Sequence, residues 1–157
     1  MTETEGPKGY IPFDSIQVGQ VEDFGAYEVT ESEIIEFAQK YDPQYFHLDA
    51  DAAKESLFGG LCASGWHTCA MTMAMLVENM DKTGRSLGSP GIDSLKWRHP
   101  VYPGDVLSVH TEVLETKPSK SKPEIGFVTS KVTVRNQRNR DVMEFVSKGI
   151  FRRTEGQ

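Results

Sequence analysis

Residues 58–77 (Phe-Gly-Gly-Leu-Cys-Ala-Ser-Gly-Trp-His-Thr-Cys-Ala-Met-Thr-Met-Ala-Met-Leu-Val) carry no formal charge, and the first charged residue after them is Glu78. A glycine-rich entry, Gly59, Gly60 and Gly65, leads into a later part rich in Ala, Met and Leu, residue types that favour helix. Small and apolar side chains run all the way round such a helix and leave no polar face for water. A helix of that kind is either enclosed in a domain core or crosses a membrane. Ser64, His67 and Thr68 interrupt the apolar run, which is too short to span a bilayer. The rest of the chain must therefore supply a wrapper for this helix.

Composition limits what the wrapper belongs to. One domain with a real core is what 157 residues allow. A net charge of −6 argues against a nucleic-acid binder, which clusters basic residues on its surface. The two cysteines, Cys62 and Cys69, stand seven residues apart on the central helix, beyond disulfide reach. Two buried free thiols suit a reducing compartment. The start, Met-Thr-Glu-Thr-Glu-Gly-Pro-Lys, is polar and acidic, unlike a signal peptide, so the expected setting is the cytoplasm, with no membrane partner.

Along the chain, residues 1–19 read as a tail and an ordered arm, 20–153 as the domain and 154–157 as a second tail. Residues 20–29 alternate weakly and predict a strand. Thr30-Glu-Ser-Glu33 has the form of a capping box, and Ile34, Ile35, Phe37 and Ala38 give an amphipathic helix behind it. Pro43 drives Asp42 out of α geometry, so that helix stops near Tyr41. Residues 42–49 are turn-rich, and 51–58 predict a short helix ending at Gly59, with Asp49 as its cap. The central helix closes in the polar stretch 78–90, which contains Gly84, Gly88 and Pro90.

From there the period changes to two. Strands are predicted over 91–101, 106–115, 125–135 and 142–152. Tyr102-Pro-Gly-Asp105, the basic loop 117–123 and Asn136-Gln-Arg-Asn139 join them. Helical pieces followed by a run of strands joined by turns make an α+β domain with an antiparallel sheet. A strongly curved sheet of that kind can wrap the apolar helix.

Two places carry possible chemistry. Asp42 and His47 flank a proline-containing loop, and a carboxylate and an imidazole held together can orient and deprotonate a water. The same two residues read equally as a capping acid and a packed histidine. Ser64 and Gly65 open the central helix, whose first N–H groups lack intrahelical partners and sit at positive potential. Gly65 lets another molecule approach that backbone, or simply lets the helix pack tightly. His67, His99 and His110 have no metal-ligand spacing and read as packed or surface residues. Neither a Ser or Cys nucleophile motif nor a phosphate or dinucleotide fingerprint occurs, so no cofactor and no metal are expected.

Three segments taken together resemble the MaoC-like dehydratase family, the (R)-specific enoyl-CoA hydratase branch of the hot-dog fold. They are Phe37-Ala-Gln-Lys-Tyr-Asp-Pro-Gln-Tyr-Phe-His-Leu-Asp49, then Phe58-Gly-Gly through Ala63-Ser-Gly65, then Ile92-Asp-Ser-Leu-Lys-Trp-Arg-His-Pro-Val-Tyr-Pro-Gly-Asp-Val-Leu107. Their order and spacing agree over about residues 20–152, nearly the whole chain. The resemblance implies a single hot-dog domain, a curved antiparallel sheet around the long helix. It implies Asp42 and His47 as the catalytic pair, the Gly65 N–H as oxyanion donor, and addition of water to an enoyl-CoA thioester or its reverse.

Two positions depart from the family's pattern: Gln44 stands where an Asn is usual, and Ser64 where a His precedes the helix glycine. Ser64 borders the expected substrate, Tyr45, Phe46 and Trp66 line the acyl pocket or belong to the core, and Lys96, Arg98 or the 117–122 loop form a basic rim for the CoA phosphates. Hot-dog proteins pair their sheets, so at least a homodimer is implied. The rivals are a hot-dog thioesterase and a degenerate acyl-CoA-binding subunit. Thioesterases of this fold generally carry an acid on the central helix, and residues 64–77 contain none.

Overall fold

Each of the predicted elements exists in the computed structural model, which describes residues 12–83 and 86–153. Residues 1–11 of the expected tail, Gly84 and the tail 154–157 lie outside the described residues. The arm begins with a single 3-10 turn, Phe13–Ser15. Its Phe13 ring is buried against Gly126, where a Cβ would collide with it.

Strand β1 spans Val21–Glu28 and helix α1 spans Glu31–Tyr41. Thr30 caps α1 by accepting from the Glu33 N–H. Only half of the capping box forms, because the Glu33 carboxylate turns instead to Tyr27 and His67. The helix ends where expected, with Asp42 out of helical geometry at φ −153° and ψ 70° ahead of Pro43. The turn-rich segment contains one helical turn, α2 (Tyr45–Leu48). The helix expected over 51–58 is only α3 (Ala50–Ala53), capped by Asp49, whose side chain accepts from the N–H groups of Asp51 and Ala52. The Ser56 hydroxyl bonds the Ala53 carbonyl and the Phe58 N–H, which offers the backbone an alternative to continuing the helix. Helix α4 runs from Gly65 to Thr83.

The remaining strands are β2 (Gly88–Trp97), β3 (Val106–Pro118), β4 (Ile125–Arg135) and β5 (Asp141–Arg152). With β1 they form one antiparallel sheet in the order β1-β3-β4-β5-β2. β2 starts before the predicted position 91 and stops short of 101, because the N–H groups of Arg98 and His99 both turn to the Val142 carbonyl. One face of the sheet supplies Leu107, Val109, Val132, Val134, Met143 and Phe145 to the core. Met71 and Met75 of α4 and Ile34 of α1 close it from the other side. This is the α+β hot-dog arrangement, sheet on helix, that the resemblance implies.

The chain does not, however, enclose α4 completely. Trp66, Ala70, Met73, Ala74 and Val77, spaced at three to four residues, form an exposed stripe along it. Trp66, Met73 and Val77 are 59%, 53% and 47% exposed. One sheet and the α1–α3 layer cover only part of a helix's circumference. The edge strand β2 is exposed as well, with Leu95 its single partly buried residue. No helix among the described residues is long and apolar enough to cross a membrane.

Candidate active site

The break after α1 and the turn α2 bring Asp42 and His47 together: His47 Nε2 lies 3.4 Å from Asp42 Oδ2, and His47 is buried. His47 Nδ1 lies 2.6 Å from the Cys62 carbonyl. That oxygen can only accept, so Nδ1 carries the proton and Nε2 is the atom that meets Asp42. Asp42 is held on both oxygens. Ser64 Oγ donates to Oδ2 at 2.7 Å and Gln44 Nε2 donates to Oδ1 at 2.7 Å. Ser64 and Gln44 are therefore the two hydrogen-bond donors that orient the carboxylate.

Burial alone would raise the Asp42 carboxyl. The hydrogen bonds from Ser64 and Gln44, with the charge of His47 behind them, outweigh it and hold the group below its ordinary value. The neighbouring Cys62 thiol goes the other way, pushed up to about 11 by burial and then by the Asp42 charge. It is a protonated thiol and not a nucleophile.

Ser64 has no side-chain bond to the helix it precedes, since its hydroxyl is on Asp42; the first-turn N–H of Gly65 has no partner within α4. Trp97 completes this corner. Its indole Nε1 donates to the Gly65 carbonyl at 3.0 Å, and its ring lies so close that a Cβ on residue 65 would overlap it. Of the two readings left open for Gly65, close packing is thus seen directly, and the packing partner is Trp97. Sequence reasoning named the neighbours of Trp97 as site residues and passed over Trp97 itself.

Phe46 packs its ring edge on His47, with centroids 4.5 Å apart, and also meets Tyr45 and Phe58. Tyr45 is half exposed, and Trp66 stands edge-on to Trp97 at 5.3 Å. Lys96 and Arg98 are not brought to the site. Strand alternation turns Trp97 towards α4 and its two neighbours to the opposite face of the sheet. There Arg98 Nη2 bonds Glu144 Oε1 at 2.6 Å, and Glu144 is the register partner of Lys96. The 117–122 loop is further off. Lys117 pairs with Phe127, Phe127 with Ile150, and Ile150 with Gly88, at the end of β2 away from Trp97. Nine residues of strand put about 30 Å between the two ends of β2. Among the described residues no group of three or more His, Cys, Asp or Glu could hold a metal.

Residues 15–136 match the model of the MaoC-like domain. The chain is 30% identical over 134 residues to the uncharacterized protein YdeM of Bacillus subtilis, covering 85% of this chain and 94% of that protein. It is 28% identical over 123 residues to the 3-hydroxybutyryl-CoA dehydratase of Methylorubrum extorquens, 75% of this chain and 73% of that one. Among solved structures, the MaoC-like dehydratase from Rhodospirillum rubrum is 40% identical with a TM-score of 0.83, covering 92% of this chain and 98% of that one. The R-hydratase PhaJ1 from Pseudomonas aeruginosa is 27% identical with a TM-score of 0.72, covering 93% and 88%. A MaoC-like domain model over residues 15–136, and relatives matched over most of both chains, show that the chain belongs to the MaoC-like dehydratase family.

Proposed function

We propose that the protein adds water to the 2,3 double bond of an enoyl-CoA thioester, or removes it from the 3-hydroxyacyl thioester. The observation that carries this reading is the Asp42 carboxylate, fixed by Ser64 and Gln44 and facing His47 Nε2 beside the opening turn of α4. A relative named 3-hydroxybutyryl-CoA dehydratase, of Methylorubrum extorquens, and one named R-hydratase, of Pseudomonas aeruginosa, support it.

The chemistry asks little of the protein. A thioester carbonyl already makes the β-carbon electrophilic. A water held between Asp42 and His47 gives its proton to the Asp42 carboxylate as its oxygen bonds the β-carbon. The electron pair of the double bond moves onto the thioester oxygen, to which the Gly65 N–H donates as the negative charge develops; one such donor lowers a barrier by about 2.7–4 kcal/mol. Asp42 then returns the proton to the α-carbon on the same face, a syn addition.

Asp42→Asn and His47→Gln are expected to cut turnover of crotonyl-CoA, read as loss of enoyl absorbance, by roughly 10²–10⁴ while the fold stays intact. Turnover that survives both changes overturns the reading. Tight binding of CoA thioesters with no turnover of short, long or branched enoyl-CoAs points to the acyl-CoA-binding subunit instead. A thioesterase is disfavoured because the part of α4 next to Asp42, residues 65–77, carries no acid; the two acids of the helix, Glu78 and Asp81, lie in its last turns. The working unit in this reading is a homodimer. The exposed stripe on α4 and the unpaired edge β2 are the surfaces it would cover, because a bare edge strand and an apolar helix face are both liabilities in water.

A further inference from the structure

We propose that Tyr27, Glu33 and His67 form a latch that sets the position of Asp42 against the opening turn of α4, making them positioning residues for the proposed hydration. The inference rests on that reading and adds three residues to it.

Glu33 Oε1 accepts two hydrogen bonds. One comes from Tyr27 Oη at 2.5 Å, and the other from His67 Nε2 at 3.2 Å. The three residues lie on three different elements: Tyr27 on β1, Glu33 on α1 and His67 on α4. Two of those elements carry the site. Helix α1 ends at Tyr41, directly before Asp42, and α4 begins with Gly65 directly after Ser64. Phe37, one turn on from Glu33, stacks face to face on the His67 ring, with centroids 4.6 Å apart and planes 7° from parallel. The contact surface between the two helices is therefore a short ladder. Glu33 and Phe37 meet His67 at one end, and Asp42 meets Ser64 at the other. Ser64 and His67 are three residues apart, the spacing of neighbours on one helix face.

Two further observations separate this cluster from ordinary packing. Glu33 stands where a capping box would turn its carboxylate back on the helix start, yet that carboxylate is spent on a tertiary contact. His67 is 3% exposed, and its Nδ1 is buried with no hydrogen-bond partner. Nε2 donates to the Glu33 carboxylate, so Nδ1 is an unprotonated acceptor left without a donor, which costs stability. Burial holds the ring neutral against the pull of Glu33, so no charge is gained in exchange. An apolar ring at position 67 would stack on Phe37 without that loss. What it would not do is grip Glu33.

The test is steady-state kinetics with crotonyl-CoA on the full chain, with the folded state checked by circular dichroism. Glu33→Ala and His67→Phe are expected to lower kcat 10- to 100-fold with KM within about threefold. They are also expected to move the acid limb of the kcat/KM profile upward, in the direction expected of Ser64→Ala, because Asp42 loses the Ser64 donor when α1 drifts from α4. Glu33→Gln keeps the oxygen that accepts from both partners and is expected to restore kcat to within about threefold of wild type; Tyr27→Phe, a mild change in volume, is expected to lower kcat by a smaller factor. A Glu33→Gln variant as damaged as Glu33→Ala overturns the latch, since it would make the Glu33 charge the operative feature. Glu33→Ala that lowers melting temperature but leaves kcat and the acid limb alone overturns it too. Failure of the wild-type chain to turn over any enoyl-CoA is a separate result, which removes the hydration reading itself.

Discussion

The Ser64 hydroxyl is an anchor for the Asp42 carboxylate. It donates to the same Asp42 oxygen that faces His47, and with Gln44 it holds the carboxyl below its ordinary value although burial alone would raise it. The sign follows. Asp42 is ionised down to a pH below the usual aspartate value of about 3.9, and the stability its ionised form confers is lost as pH falls through that lowered value. Ser64→Ala removes one of the opposing hydrogen bonds, so the acid limb of kcat/KM is expected to rise; a pH–rate profile measures it. Gly65 supplies a second prediction. A methyl group there overlaps the Trp97 indole, so Gly65→Ala must push the ring off and break its bond to the Gly65 carbonyl. Turnover is expected to fall at least tenfold, whereas Trp97→Phe, which keeps a ring but drops the N–H, is expected to fall less. Comparing kcat for the two variants separates the clash from the hydrogen bond.

At the scale of elements, the site is built where regular structure is interrupted. Proline-driven loss of helix at Asp42, one turn of α2 and the capped turn α3 make the overhang that carries the acid–base pair. β1 carries a comparable interruption. Its pairing with β3 slips between Phe24 and Tyr27, and Gly25 sits there at φ +88° with Met75 of α4 packed against it. A side chain at residue 25 is strained by the backbone angle and blocked by Met75, so Gly25→Ala is expected to destabilise by about 1–3 kcal/mol. The Thr30 cap is a milder case: Thr30→Ala is expected to cost about 1 kcal/mol. Chemical denaturation of the two variants against wild type checks both numbers and their order.

For the molecule as a whole, the charge-free helix is a packing element on one side and an open surface on the other. Met71 and Met75 are buried, whereas Met73 and Val77 are not, although all four belong to the same apolar run. If the exposed stripe and β2 meet a second copy, Met73→Glu with Val77→Glu is expected to shift the protein from dimer to monomer in sedimentation velocity. No shift, or a wild-type monomer, removes that assembly.

Much of this is legible in the sequence. Periodicity, the Thr30 cap, Pro43 and the turn residues place the elements of an α+β domain, because those signals act within a few residues of chain. The pairing of Asp42 with His47 was legible only as a possibility, since five residues of loop are compatible with a site or with a cap and a packed ring. Other features lie beyond local rules. Whether Lys96 and Arg98 or Trp97 faces α4 depends on which side of the sheet the helix packs, and the answer is Trp97. Glu33 reads locally as a capping acid, but Tyr27 and His67, six and thirty-four residues away, claim its carboxylate. The charge-free run of residues 58–77, whose later part opens α4, had to be covered because its composition leaves no polar face. How much of it one chain covers was decided by the tertiary structure, because a single sheet with one helical layer closes round only part of a cylinder and leaves Trp66, Met73 and Val77 in water.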